Sequence, residues 1–123
     1  MKYLKMGLKF MDNQKNNYYY ADKVLKDIRF LVKHTKGITF DELVANEVLV
    51  DSIMFRFIQI HENIKRMTEN FKSSHSNIPW GDITGFRNRI VHDYGKVDLR
   101  VIYDTVNNDL ETLEQLFSNV ISE

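Results

Sequence analysis

Between Val50 and Phe71 the apolar residues are Val50, Ile53, Phe57, Ile60, Ile64, Met67 and Phe71, alternating three and four apart. That spacing puts one apolar stripe on one side of a helix. Two further seams have the same period: Tyr20, Val24, Leu25, Ile28, Leu31 and Val32 near the start, and Leu99, Ile102, Val106, Leu110, Leu113, Phe117 and Val120 near the end. Extended alternating runs of Val, Ile and Thr are missing. One proline and five glycines leave few places for a helix to break. The expected fold is all-α, an up-and-down bundle of four main helices with short helices between them.

The punctuation places the elements. The first helix is expected from about Tyr18 to Lys36, with Gly37 as a left-handed C-terminal cap. His34 falls in its last turn, where a partial positive charge suits the helix dipole. Thr39 and Glu42 have the spacing of a capping box opening a short helix that ends near Ala45. Asn46 caps the longest helix, expected to run unbroken from Glu47 to Phe71. His61 and Glu62 fall beside its seam, with His61 expected as a packed or hydrogen-bonded residue and a helper role near an active site left open. Ser73 to Asn77 form a polar connection, and Ile78-Pro79-Trp80 an anchored turn. Trp80 is expected as a core plug. Asp98 is the N-cap of the last helix, expected from Leu99 to about Ile121. Residues 1–16 are expected as a weakly ordered N-terminal extension, with Met11 an alternative start, and residues 17–123 as the helical domain.

Charge and cysteine usage narrow the function classes. Seventeen basic residues cancel seventeen acidic ones, so a protein that coats long nucleic acid with a whole positive face is disfavoured. Any contact with nucleic acid belongs to a local site. The absence of cysteine removes disulfides and thiolate metal sites. No apolar run nears the roughly 20 residues of a membrane span, and the N-terminus makes a poor secretory signal. The expectation is a soluble cytoplasmic protein without membrane association.

Gly85 to Tyr94 concentrates the chemistry: Gly-Phe-Arg-Asn-Arg-Ile-Val-His-Asp-Tyr. On a helix Asn88 and His92 share a face, and Arg89 and His92 are neighbours. Arg87 and His92 lie about 140° apart around the axis. Both can serve one target if the motif sits at a helix end, or if two copies face each other across a two-fold axis. A histidine shuttles protons near neutral pH, and an arginine presents a planar fork to phosphate oxygens. RNA carries its own nucleophile, the 2′-hydroxyl, beside the scissile phosphate. Cleavage then needs a proton acceptor, a proton donor and charge stabilisation on phosphorus. The structural reading of the same residues is a solvated helix with a capping histidine.

Arg87, four residues, His92, one residue and Tyr94 resemble the Arg-X4-His-X-Tyr motif of HEPN-domain toxins, the toxin half of HEPN/MNT toxin–antitoxin pairs. The resemblance spans about residues 18–117. It includes Thr35 to Phe40 at the first interhelical turn, Ile78-Pro79-Trp80 with Ile83 and Gly85 to Asn88 before the motif, and Val97-Asp98 with Asp109-Leu110 in the last helix. It implies an all-helical homodimer with a metal- and cofactor-independent endoribonuclease site between protomers. Arg87 and His92 would be catalytic, with Asn88 as the polar residue after the arginine. It also implies a minimal nucleotidyltransferase antitoxin, which in related pairs adenylylates the motif tyrosine, here Tyr94. An alternative implied role is a non-catalytic HEPN module that binds a nucleotide or a partner. The chain departs from the family pattern in the long helix, where His61 stands for a glycine and Asn63 for an alanine.

Overall fold

The computed structural model describes the backbone of residues 13–92 and 98–123, with side chains from 16 to 90 and from 98 onward. Seven helices account for nearly all of it: α1 (Asn13–Thr35), α2 (Phe40–Val44), α3 (Glu47–Lys65), α4 (Glu69–Ser74), α5 (Trp80–His92), α6 (Leu99–Asn108) and α7 (Leu110–Ile121). No strand occurs among the described residues. The all-α bundle follows from the seams. α1 packs against both α3 and α7, α3 also holds α5, and α2 bridges α3 and α6.

Each seam is buried where its period places it. Val24, Ile28 and Leu31 of α1 meet Ile53, Phe57 and Ile60 of α3 and Phe117 of α7 in one continuous core. Full burial of side chains this size contributes about 1.5–3 kcal/mol each before entropy is charged against it. Trp80 plugs the core as expected. Its ring meets Phe117 edge-on at 5.7 Å, and its indole N–H donates to the carbonyls of Lys72 and His75, each at 3.1 Å. Gly37 takes φ +72°, the left-handed conformation expected of it after α1.

Capping decides where helices begin. Thr39 and Glu42 form the reciprocal capping box, with bonds of 3.1 and 3.0 Å. The Asn46 carboxamide oxygen accepts from the Leu49 amide, and the Asp98 carboxylate from that of Val101. α1 is already helical at Asn13, the first described residue and ahead of the expected Tyr18, and residues 1–12 of the expected N-terminal extension lie outside the described residues.

Two helices expected to be continuous are broken. The first does not run from Glu47 to Phe71: α3 closes at Lys65 and α4 opens at Glu69. Thr68 is the cause. Its hydroxyl accepts from the Phe71 amide, while its own amide is taken by the Asn17 carboxamide oxygen at 2.9 Å. Asn17, fully buried on α1, returns a bond from Nδ2 to the Thr68 hydroxyl at 3.1 Å. Met67 and Phe71 stay buried across the break, so the apolar period does not register it. The last helix likewise divides at Asp109, which closes α6 by donating to the Thr105 carbonyl and opens α7 by accepting from Leu113.

Candidate functional site

α5 has an inward and an outward side. Ile83 and Ile90 are buried, and Phe86 meets Phe57 of α3 edge-on, centroids 4.5 Å apart. Thr84, Arg87 and Asn88, spaced three and four apart, therefore share the border between core and solvent. All three are half-buried. Arg87 donates from Nη1 to the Asn88 side-chain oxygen at 3.1 Å. Its Nε is buried and finds no acceptor among the described residues. A guanidinium held this way keeps most of its five donors for an incoming anion.

Arg89 does not share this arrangement. It points outward to Asp98 at 3.5 Å, a largely exposed pair that ties α5 to the first turn of α6 and adds little stability. The backbone of His92 forms the last position of α5, four residues after Asn88. Its side chain, and all of Tyr94, lie outside the described residues.

Across from this border stands His61 of α3. Its Nδ1 lies 3.4 Å from the Thr84 hydroxyl. Burial holds the imidazole below its ordinary titration range; the Arg87 guanidinium and Lys65 push the same way, against Glu62. The ring is therefore neutral at neutral pH. The sequence set His61 beside the seam, favoured a packing role and left a helper role near the site open, without naming Arg87 as its neighbour. The joining signal was its place one turn after Phe57, on the side facing α5. Thr84 carried no signal of its own.

Two further histidines, His34 and His75, have structural contacts. His34 lies against Phe30, ring centroids 4.3 Å apart. His75 accepts or donates at both nitrogens, with the Phe71 carbonyl at 2.8 Å and the Glu123 carboxylate at 2.9 Å. Among the described residues no three His, Asp or Glu side chains converge as a metal ion would need. A groove of about 370 Å³ runs between the start of α5 and α6–α7, but Arg87 and Asn88 do not line it. Its walls are mainly apolar, and its charged residues are Asp82 and Asp109, unsuited to a phosphate.

The described residues form an all-helical bundle with a half-buried arginine on α5. The chain belongs to the HepT-like ribonuclease family, whose model, "Ribonuclease HepT-like", matches residues 24–120. It is similar to a protein named "Putative RNase TTE0752" from Caldanaerobacter subterraneus subsp. tengcongensis, 29% identical over 104 residues that cover 85% of this chain and 93% of that one. It is 26% identical to "Probable ribonuclease HepT" of Thermococcus cleftensis over 101 residues, 82% of this chain and 92% of the other. A third relative, "Gamma-glutamylcyclotransferase and putative RNase MJ0434" of Methanocaldococcus jannaschii, is 26% identical over 85% of this chain but only 47% of its own length. No solved structure matches. No helix among the described residues is long and apolar enough to cross a membrane.

Proposed function

We propose that this chain is a metal-independent endoribonuclease, the toxin of a HEPN/MNT toxin–antitoxin pair, acting in the cytoplasm as a homodimer. The observation that carries this reading is the half-buried Arg87 guanidinium, braced by Asn88 on the helix that ends at His92, in a chain of a ribonuclease family. Arg87 holds the scissile phosphate and stabilises the charge that develops on it. Asn88 fixes the orientation of the fork. His92 transfers a proton as the 2′-hydroxyl attacks. The two motifs face each other in a cleft between protomers, which brings Arg87 and His92 to one target despite their angular separation on the helix.

The partner is a minimal nucleotidyltransferase that adenylylates Tyr94. An AMP group two residues from His92 would place negative charge and bulk where RNA phosphate has to bind. The test is cleavage of an oligoribonucleotide by purified wild type, Arg87→Ala and His92→Ala. Each substitution is expected to lower kcat/KM by about 100-fold or more. Equal cleavage by all three would mark the activity as contamination. Tight RNA or nucleotide binding without cleavage would favour a non-catalytic binding module.

A further inference from the structure

The proposed cleavage needs two proton-handling groups, and the motif supplies one imidazole per chain. A second imidazole stands within the same protomer. Phe57 against Phe86 fixes how α3 and α5 lie together. One turn beyond Phe57, His61 reaches Thr84, itself one turn before Arg87. His61 is half-buried, and the Arg87 guanidinium is near enough to act on its charge. Resting on the ribonuclease reading above, we infer that His61, rather than a second His92, is the proton acceptor for the 2′-hydroxyl of a substrate whose phosphate Arg87 holds.

The 3.4 Å contact between Nδ1 and the Thr84 hydroxyl admits the tautomer this step requires. With Nδ1–H donating to the Thr84 hydroxyl, the lone pair stands on Nε2. The 2′-hydroxyl proton passes to Nε2 as the 2′-oxygen bonds to phosphorus. The bond from phosphorus to the 5′-oxygen breaks, and that oxygen takes a proton from the His92 imidazolium. The products are a 2′,3′-cyclic phosphate and a 5′-hydroxyl, and His61 then returns its proton to water. The charged groups acting on His61 are Arg87 from α5 and Lys65 and Glu62 from its own helix. Two cations against one carboxylate keep the resting ring free to accept.

The experiment measures cleavage of an end-labelled oligoribonucleotide across pH by wild type, His61→Ala and His61→Gln, beside Arg87→Ala and His92→Ala. Both His61 variants are expected to lose about 100-fold or more in kcat. They are also expected to lose the acidic limb of the kcat/KM profile and to bind the uncleavable 2′-deoxy oligonucleotide as wild type does. A merely structural role for His61 would lower the melting temperature and leave that limb in place. Should both variants fail to fold, Thr84→Val decides: it keeps the ring, removes the Nδ1 partner, and is expected to lower kcat at unchanged KM. Wild-type kcat and an unchanged limb in a folded His61 variant, or in Thr84→Val, overturn the inference alone, provided Arg87 and His92 still matter. A wild type that cuts no RNA overturns this inference and the ribonuclease reading together.

Discussion

Two arginines two residues apart meet different fates. Arg87 falls on the border of the core, where Asn88 braces it, and Arg89 falls on the solvent side, where Asp98 takes it. Two helical steps of about 100° each put the two side chains about 200° apart around the axis, which gives like residues unlike environments. Asn63 shows the opposite case, a polar group where nothing calls for one. It is almost wholly buried, its Nδ2 donates to the Gln59 carbonyl at 3.0 Å, and its side-chain oxygen has no donor among the described residues. An unpaired buried acceptor costs about 1–3 kcal/mol, and alanine is the better helix former. Asn63→Ala should therefore raise stability by about 1 kcal/mol in urea unfolding. A loss of similar size would mean that Oδ1 has a partner.

Among the elements, the junction of α3 and α4 holds the most specific polar contact. Thr68 caps α4 and exchanges two hydrogen bonds with Asn17 of α1. Thr68→Ala removes the cap and strands a buried amide donor, so it should cost about 2–3 kcal/mol. Thr68→Ser should recover most of that, and an alanine variant as stable as wild type would remove this contact from the account. The same junction shows what the amino-acid order made legible. Periodicity located every seam, because burial rewards the same spacing everywhere. It could not see the break at Thr68, because Ile64, Met67 and Phe71 keep their three-four spacing straight through it. The deciding partner, Asn17, lies 51 residues away. Local caps at Thr39, Asn46 and Asp98 were legible because donor and acceptor sit three residues apart. The candidate site was half legible on the same grounds. Arg87 and Asn88 stand in one motif, whereas His61 joins them only through the packing of α3 on α5.

The whole molecule is tied by a clasp between distant parts of the chain. Glu123 accepts from the Tyr18 hydroxyl at 2.8 Å and pairs with His75. Burial pushes the His75 imidazole down, but the Glu123 carboxylate and the Phe71 carbonyl outweigh it, and the net shift is upward from 6.5. The bonds from His75 and Tyr18 hold the Glu123 carboxyl below its ordinary 4.5. The histidine's contribution is complete below its unfolded value and is lost as pH rises through the higher folded one. The glutamate's is present above its unfolded value and is lost as pH falls through the lower folded one. The melting temperature should therefore peak between about pH 4.5 and 6.5, and His75→Ala should flatten its decline above that window. A profile that His75→Ala leaves unchanged would show that the clasp contributes nothing.

The placement of α1 has a further consequence. It is the first of the described helices to be translated, yet the surfaces that cover it come from α3 and from α7, the last of them. Part of its greasy flank must wait, bare or chaperoned, until α7 has been made. α5 is translated before α7 arrives to close the core behind it, so the helix that carries Arg87 gains its full backing only once α7 has docked.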